Sequence, residues 1–320
     1  MSNTETTHQN WFQKKPRTMA VVLTGITLLL LFSCIEYFLQ SFMGLGNPVI
    51  YRANPFYGYR PLPNQEVVRF FGAKLKFNNL GIRADQDWDE NVENKILFLG
   101  DSITYGGSYI ANNQLFSHLA GKGLDSFFIG NAGVNGWGIK NIYGLIVDSE
   151  FLPAKTYITV VPEADFYRER GRLIGLPFWS RQPRLALEEL FFHYIMMLSR
   201  SLYSSESLFS NIEITEKFVE QSVVRLKQMD EFLKSRGFTH KIYISADSQH
   251  LFENKPKDPY VLKFLSKHHL EVTYLIDRLK PLSIDPKRSD SIFYDIGHLD
   301  VEGHEIWGKV INEDLKMLLK

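Results

Sequence analysis

The chain has 320 residues, 44% of them apolar, which is enough to bury a substantial core as one large or two modest domains. Lys and Arg together number 36, as do Asp and Glu, and no basic stripe interleaved with aromatic residues breaks this balance, so no nucleic-acid partner is expected. Cys34 is the single cysteine, which excludes an internal disulfide.

The first predicted element is a transmembrane anchor over residues 18–43. The run MAVVLTGITLLLLFSCI, from Met19 to Ile35, is almost entirely apolar or small, and the apolar character resumes after Glu36. A membrane helix needs about 20 mostly apolar residues, so this segment is long enough to span a bilayer. The alternative is a cleaved signal peptide, which has a shorter apolar core followed by a small-residue cleavage site; the continued aromatic run favours a retained signal anchor.

Basic residues set the predicted orientation of this anchor. Lys14, Lys15 and Arg17 directly precede the apolar run. By the positive-inside rule, residues 1–17 form a cytoplasmic tail and the remaining chain lies outside the cytoplasm, which in a Gram-negative bacterium is the periplasm. The sequence therefore predicts a single-pass membrane protein with an extracytoplasmic body.

Residues 44–94 are predicted to form a small β-rich collar that packs on the main domain rather than a separate binding module. Pro55, Pro61 and Pro63 exclude a helix from the first part of this segment. The alternating stretches VVRFF and KLKFN indicate two short strands joined around Gly72.

Residues 95–320 alternate between predicted strands and helices. The expected strands are Lys95–Leu99, Ser126–Gly130, Tyr157–Val161, Lys241–Ser245 and Leu270–Ile276. The expected helices are Asn113–Gly121, Ile139–Ser149, Ile214–Ser235 and Glu302–Leu319. This alternation favours an α/β domain whose five-stranded parallel sheet is covered by helices on both faces, with the ligand site at the carboxyl ends of the strands.

An insertion over about residues 166–211 interrupts the alternation. It contains RERGR, LPFWSRQPR and the apolar stretch LFFHYIMML. Its aromatic residues fit three roles, which are a cap over the active site, a surface that docks on the bilayer beside the anchor, and ordinary packing. The sequence leaves these three roles open.

Ser102 is the candidate nucleophile. Gly100-Asp101-Ser102 follows the first predicted strand directly, at the edge of the sheet where ligands bind. A serine at the start of the following helix has backbone N–H groups and the helix dipole nearby, which stabilise developing negative charge. The alternative is that Ser102 caps a helix in a noncatalytic domain.

The base that such a serine needs is predicted in YDIGHLDVEGH, residues 294–304. Asp295 and His298 are three residues apart in a loop, so the carboxylate is able to orient the imidazole while His298 faces the serine hydroxyl. His304, at the start of the last helix, is expected to pack or cap.

Two further pairs of titratable residues receive no catalytic role. Asp247 and His250 are interpreted as loop residues, although their spacing also fits an acid/base pair. His268 and His269 are adjacent and are interpreted as a solvated helix end, because a metal site needs further convergent donors.

At these residues the sequence resembles the GDSL or SGNH hydrolases, a family of serine esterases and related acyl-transfer enzymes. The first family block is similar to Gly100-Asp101-Ser102-Ile103-Thr104, and the last block is similar to Asp295-Ile296-Gly297-His298-Leu299. The resemblance covers roughly residues 95–320, and Asn79, Gly81 and Arg83 fit a pattern of the membrane-tethered bacterial members.

The resemblance implies a fold and a set of roles. The fold is a flavodoxin-like three-layer α/β/α sandwich with a parallel five-stranded sheet. Ser102, His298 and Asp295 form a catalytic triad, and the backbone N–H groups of Ser102 and Gly136 form the oxyanion hole, with Gly136 taken from the family's second block. No cofactor and no metal are expected.

One departure from the family pattern concerns its third block, Gly-x-Asn-Asp. The corresponding residues here are Pro162-Glu163-Ala164-Asp165, so Ala164 occupies the position of an asparagine that helps to form the oxyanion hole. Losing one such donor costs about 10² to 10³ in turnover. Asn135 or a group between Tyr167 and Arg172 is a candidate replacement.

The resulting functional prediction is a membrane-anchored extracytoplasmic serine esterase or acyltransferase. Its expected substrates are acetyl or acyl esters of envelope glycans or lipids, and Asp101, Asn135, Asp165 and Arg168 are expected to contact them. Arg168, Arg170 and Arg172 are further predicted to bind a carboxylated or phosphorylated substrate.

One alternative function remains open, and a second is disfavoured. The alternative that Ala164 motivates is a catalytically weak or inactive domain that binds glycan or scaffolds an envelope assembly. Dinucleotide binding is disfavoured, since the first strand is not followed by Gly-x-Gly-x-x-Gly.

Overall fold

The structure, a computed structural model, describes residues 15–89, 94–168, 179–202 and 212–319, without the side chains of residues 196–202 and 212–215. It begins with helix α1 (Pro16–Ser41), in which only Glu36 and Leu39 are buried. At about 1.5 Å per residue this helix is about 39 Å long, which exceeds the hydrocarbon thickness of a bilayer, about 30 Å. In the described ranges it is the one helix long and apolar enough to cross a membrane.

Two antiparallel hairpins follow α1. The first joins β1 (Tyr51–Asn54) to β2 (Gly58–Pro61). The second joins β3 (Gln65–Val68) to β4 (Lys74–Phe77) through a 3-10 turn at Phe70–Gly72. The two strands predicted around Gly72 are therefore present.

The second hairpin is continuous with the main sheet through Arg83. The backbone N–H of Arg83 donates to the carbonyl oxygen of Asn131 over 2.8 Å, and the N–H of Asn131 donates back over 3.1 Å. Arg83 also forms an antiparallel bridge with Phe77, at the end of β4. The segment before residue 95 thus hydrogen-bonds to the edge of the main sheet.

The main sheet is parallel and has five strands, as predicted. They are β5 (Lys95–Gly100), β6 (Phe128–Asn131), β7 (Thr156–Val161), β8 (Thr239–Ile244) and β9 (Thr273–Tyr274). Their order in space is β6-β5-β7-β8-β9, the flavodoxin-like order in which the first strand lies between the second and third. Every residue of β5 and β7 is buried, because helices cover both faces of a parallel sheet.

The helices divide into two layers. The first layer contains α4 (Ile139–Tyr143), α6 (Ile212–Ser235) and α8 (Pro259–Lys267), and the second contains α3 (Phe116–Leu119), α9 (Leu275–Leu279), α10 (Ser289–Ile292) and α11 (Val301–Leu318). The remaining helices are α2 (Ser102–Tyr105), α5 (Ala186–Leu202) and α7 (Ser248–Phe252). The three-layer α/β/α fold that the sequence predicts is confirmed.

Two predicted elements are shorter than expected. The fifth strand has two residues rather than Leu270–Ile276, because it pairs only with β8 and the chain turns into α9 at Leu275. The helix predicted over Asn113–Gly121 contracts to a 3-10 turn at Asn112–Gln114 and the four residues of α3, since Leu115 between them has an extended backbone.

Candidate active site

Ser102 lies where β5 ends and α2 begins. The Asp101 carboxylate accepts a hydrogen bond from the Ile103 N–H over 2.9 Å and so caps α2. The Thr104 hydroxyl donates to the carbonyl oxygen of Val160 over 2.7 Å, which fastens this turn to β7. Gly100 is required here, because a Cβ would lie 2.1 Å from Thr104 Oγ1 and 2.3 Å from the Val160 oxygen.

The fold brings Ser102, His298 and Asp295 together in a hydrogen-bonded chain. His298 Nε2 lies 2.8 Å from Ser102 Oγ, and His298 Nδ1 lies 2.7 Å from Asp295 Oδ2. The other Asp295 oxygen accepts from the backbone N–H groups of Gly297 and His298, at 2.9 and 2.8 Å. This arrangement orients the imidazole towards the serine hydroxyl.

Asp295, the candidate acid of this hydrogen-bonded triad, has a lowered pKa and is partly exposed to solvent. Burial works to raise the pKa of Asp295, but hydrogen bonds from the backbone and ring of His298 and from the Gly297 N–H outweigh it and hold the pKa below its usual value. The side chains of His298 and Asp295 are 36% and 51% exposed. A substrate therefore has access to them from the surface.

Contacts on both sides fix the loop that contains His298. Its ends meet in an antiparallel bridge between Phe293 and Leu299. Tyr109 stacks on Tyr294 with ring centroids 4.2 Å apart and donates a hydrogen bond to the Leu299 carbonyl over 3.0 Å. The segment just after Ser102 thus holds the segment that carries its base.

The loop after β6 places Gly136 near the end of β5. The N–H of Val134 donates to the carbonyl oxygen of Gly100 over 3.2 Å, and Tyr59 donates its hydroxyl to the carbonyl oxygen of Asn135 over 2.6 Å. Gly136 has a φ of 76°, in the left-handed region that favours glycine. Among the hydrogen bonds of the described residues, the N–H groups of Ser102 and Gly136 donate to no protein acceptor.

Asp101, Asp165 and Arg168 form a cluster behind Ser102. Arg168 Nη1 lies 2.9 Å from Asp165 Oδ1 and 3.3 Å from Asp101 Oδ2, and it donates to the carbonyl oxygen of Trp137 over 3.0 Å. Asp101 Oδ2 in turn lies 3.4 Å from Ser102 Oγ. One oxygen atom is therefore shared between the nucleophile and the guanidinium.

The two carboxyl groups of this cluster are buried, and this argues against the predicted contact of Asp101 and Asp165 with substrate. Burial and the neighbouring Asp101 raise the pKa of Asp165 well above its usual value, despite the opposing effect of Arg168. This raised pKa favours the neutral form of the Asp165 carboxyl group. Arg168 itself is 40% exposed and so is able to reach a ligand.

The remaining predicted site residues do not belong to this buried cluster in the described part of the chain. Ala164 is exposed and offers no side-chain donor, and Asn135 is half-buried in the loop that carries Gly136. Arg170 and Arg172 lie outside the described residues. Arg168 is thus the one basic residue of the predicted trio that the structure places beside Ser102.

Arg83 supports the site in a way that the sequence motif alone did not reveal. Its buried guanidinium donates to the carbonyl oxygens of Tyr105 and Gly107, at 2.6 and 2.9 Å, and to that of Ile110. Burial lowers the pKa of Arg83 to about 10. The segment that follows Ser102 is therefore wrapped around one arginine from the preceding β-rich segment.

His250 and Asp247 differ from the simple loop residues that the sequence suggested. Asp247 caps α7, and the buried His250 lies 2.6 Å from Asp247 Oδ1 and 3.3 Å from Glu163 Oε2. The hydrogen bond to Asp247, together with that to Glu163, raises the pKa of His250 to about 9. The N–H of Ser248 donates to the Ile296 carbonyl over 2.9 Å, so this network packs against the His298 loop.

His304 packs, as predicted. It accepts the Phe116 N–H at Nδ1 over 3.1 Å and stacks on the Phe116 ring. Burial lowers its pKa to about 3, so the ring is neutral. His268 lies at the end of α8, 3.0 Å from Glu220 Oε1. No group of three metal-ligating side chains occurs within the described ranges.

Tyr294, the residue before Asp295, is part of the lining of an open cleft of about 810 Å³. Aromatic and polar side chains line it, including Phe71, Tyr109, Asn113, Gln114 and Tyr294. Phe71 and Tyr294 are 84% and 57% exposed, which is unusual for large apolar rings. The cleft therefore combines exposed rings with amide groups, and one of the rings belongs to the residue before Asp295.

The chain is similar to several solved structures, whereas no protein-family model and no curated protein matches it. A lipolytic protein of the G-D-S-L family from Desulfitobacterium hafniense is 12% identical, with 69% of this chain and 99% of that chain covered and a TM-score of 0.39. A member of the same family from Veillonella parvula is 12% identical, with 69% and 98% covered and a TM-score of 0.39. The acetyl xylan esterase AlAXEase is 14% identical, with 69% and 99% covered and a TM-score of 0.41.

These overall similarities are low, whereas the order of the sequence blocks and the topology of the sheet define the fold of the chain. The first and last sequence blocks stand in order, and each lies at the carboxyl edge of the sheet. The sheet has the flavodoxin-like strand order. With these features together, the chain has a flavodoxin-like three-layer α/β/α fold, which is the fold that the sequence resemblance to the GDSL/SGNH hydrolases implies.

Proposed function

We propose that this protein is a serine esterase of the SGNH type that cleaves or transfers acyl groups held in ester linkage. The observation that carries the proposal is the chain of contacts from Asp295 through His298 to Ser102, at 2.7 and 2.8 Å. These distances are those at which a base takes the proton of a nucleophile.

In the proposed reaction Ser102 Oγ attacks the ester carbonyl carbon while His298 Nε2 takes the hydroxyl proton. The C–O bond to the alcohol then breaks, and His298 returns the proton to the leaving oxygen. A water, or the hydroxyl of an acceptor, next attacks the acyl-serine with the same base. Asp295 keeps the imidazole in the required tautomer and stabilises its protonated form.

The negative oxygen of the intermediate needs donors aimed at it. The Ser102 and Gly136 N–H groups have no other acceptor in the described part of the chain, which supports their role in the oxyanion hole. We assign the third position, where the family has asparagine, to Arg168 in place of Ala164. Arg168 bonds the carbonyl of Trp137, the residue after Gly136, and shares Asp101 Oδ2 with Ser102, so it lies beside both other donors.

The cleft that Tyr294 helps to line is proposed to hold the polar part of the ester. Its exposed Phe71 and Tyr294 rings and its Asn113 and Gln114 amides suit a glycan or a polar headgroup. Hydrolysis and transfer differ only in whether water or an acceptor hydroxyl occupies this cleft in the second step.

The location proposed for this activity is the outer face of a membrane. Helix α1 has the length and composition to span a bilayer, and basic residues precede it. This orientation puts the triad outside the cytoplasm, where esters of envelope glycans or lipids are the expected substrates.

A fluorophosphonate probe tests the proposal, because it reacts covalently with activated serines. The full chain in lipid nanodiscs is expected to be labelled and to hydrolyse p-nitrophenyl acetate. Ser102→Ala should lose both, whereas Ser126→Ala, at an exposed position remote in sequence from the blocks, should lose neither. A folded wild-type chain that is neither labelled nor hydrolytic would overturn the enzyme and leave the noncatalytic alternative, a domain that binds glycan or scaffolds an assembly.

A further inference from the structure

A second cavity, of about 250 Å³, lies between the end of the membrane helix, the insertion helix and the catalytic loops. Its wall is mainly apolar and includes Met43, Leu45, Val49 and Leu190. Its lining also includes Ser108 and Asn135, of which Asn135 precedes Gly136 in the proposed oxyanion hole. The cavity thus extends from the end of α1 to the catalytic loops.

The membrane helix is attached firmly to this region. The Glu36 carboxylate, in α1, accepts the backbone N–H groups of Ala186 and Leu187 at the start of α5. Leu39 and Leu45 pack with Ala186 in a small buried cluster. The end of α1 and the start of α5 are therefore held together.

A buried ion pair reinforces the same junction. Arg69 and Glu189 contact each other through both carboxylate oxygens, and each side chain is only 6% exposed. Arg69 also donates to the Gly44 carbonyl over 2.6 Å, and Glu189 accepts the Gly46 N–H over 2.6 Å. Because the two charges compensate each other, their presence in the cavity wall is compatible with an apolar occupant.

Helix α5 continues the apolar surface of α1. Phe191, Phe192, Tyr194 and Ile195 are all exposed, directly after the residues that bind Glu36. Soluble surfaces rarely expose so many large apolar side chains together, whereas aromatic rings are enriched at the level of lipid headgroups. This arrangement matches a helix that lies at the surface of the bilayer next to the point where α1 leaves it.

The cavity wall also contains a polar group that has no hydrogen-bond partner in the described part of the chain. Trp179 is 9% exposed, and its indole Nε1–H is buried and has no acceptor among the described residues. A buried donor without a partner is costly, so an occupant that offers an acceptor is favoured there. An ester or headgroup oxygen attached to an apolar chain meets this requirement.

We propose that this cavity binds the apolar chain of an amphiphilic ester that reaches the catalytic loops from the bilayer. The proposal rests on the esterase function proposed above and narrows its substrate to esters with an extended acyl or alkyl chain. The bilayer supplies the ligand because the wall of the cavity is built partly from the end of the membrane helix and from the lipid-facing helix beside it.

Chain-length preference tests the proposal with the full protein in nanodiscs. Wild type is expected to have a kcat/KM at least about tenfold higher for p-nitrophenyl octanoate than for p-nitrophenyl acetate, because the longer chain buries more methylene groups. Leu190→Trp fills the cavity from a position that is already 37% exposed and should remove this preference by raising KM for p-nitrophenyl octanoate. Leu262→Trp, 40% exposed on α8, is the matched control and should retain the preference.

A binding measurement separates this proposal from the esterase itself. Ser102→Ala protein in nanodiscs is irradiated with a photoreactive octanoic acid, and the labelled peptides are identified by mass spectrometry. Labels on the segments around Leu45 and Leu190 that Leu190→Trp abolishes support the cavity, even if no ester is hydrolysed and the esterase proposal fails. Ester hydrolysis without chain-length preference, together with labels elsewhere, overturns the cavity and leaves the esterase intact. Trp179→Phe should weaken labelling by a smaller factor, since it removes only the N–H.

Discussion

Ser102 Oγ lies 2.8 Å from His298 Nε2, although 196 residues separate the two in the chain. Ser102 comes from the end of β5 and His298 from the loop before α11, and the stacked Tyr109 and Tyr294 rings tie the two segments together. Ser102 and His298 are therefore brought together by the tertiary structure and not by their positions in the sequence.

Asp295→Asn is expected to lower kcat by about 10² to 10⁴ with little change in thermal stability. The amide keeps an oxygen for the backbone N–H groups of Gly297 and His298, but its NH₂ group faces His298 Nδ1 and favours the wrong tautomer. Ester hydrolysis and thermal unfolding measure the two effects. Asp290→Asn, at an exposed position in α10, is the control, and a similar kcat for both variants would contradict the role of Asp295.

Arg168→Met should lower kcat by about 10² to 10³ and change KM little, because an oxyanion donor acts mainly in the transition state. Adding Ala164→Asn to this variant restores the amide that the family has at that position. Ala164 is exposed, so the larger side chain fits without repacking. In steady-state ester hydrolysis, the double variant is expected to have a kcat at least tenfold higher than that of Arg168→Met alone.

A change in KM alone would contradict the role of Arg168 in the oxyanion hole. If Arg168→Met raises KM and leaves kcat unchanged, Arg168 stabilises the bound substrate and the transition state equally. This is the behaviour expected of a residue that pairs with a carboxylate or phosphate of the substrate, and the oxyanion assignment would then be wrong.

Asp165→Asn should be tolerated and should become increasingly stabilising as pH rises. Folding raises the pKa of Asp165, so the folded state binds this proton more tightly than the unfolded state does. The contribution of Asp165 to the free energy of unfolding is therefore complete at low pH. It is lost as the pH rises from the ordinary carboxyl range towards the raised pKa. An asparagine does not titrate, so the melting temperature of the variant relative to wild type is expected to increase as the pH rises above the ordinary carboxyl pKa of about 4.

A constant difference in melting temperature over this range would mean that Asp165 stays ionised and pairs with Arg168. In that case Asp165→Asn would also disturb Arg168 and lower kcat, whereas a protonated Asp165 predicts a kcat within about threefold of wild type.

Arg83→Met is expected to destabilise the protein by about 3 kcal/mol and to lower kcat. The substitution leaves the buried carbonyl oxygens of Tyr105, Gly107 and Ile110 without their donor, and each unsatisfied group costs about 1 to 3 kcal/mol. Chemical denaturation of the two variants measures the effect, with Arg52→Met, exposed on β1, as the control. Equal stabilities would show that the segment after Ser102 holds its shape without Arg83.

Local patterns in the sequence were enough to predict the α/β fold and the candidate triad. Apolar runs mark β5 and β7 because both are buried on both faces, and Gly100-Asp101-Ser102 marks the end of β5 because only glycine fits against Thr104 and Val160. Asp295 and His298 were predictable since their hydrogen bond spans a single turn. The short edge strand β9 was overestimated because its length depends on its one neighbour, β8.

The sequence by itself determined which groups are available for chemistry, since turns, strands and the spacing of an acid and a base are encoded by neighbours in the chain. Tertiary structure alone decided that Arg168 lies beside Asp101, that Asp101 and Asp165 are buried, and that an apolar cavity connects the segment after α1 with the loops that carry Ser108 and Asn135. The physical reason is that burial, charge coupling and cavities arise between segments distant in sequence, and no local pattern specifies them.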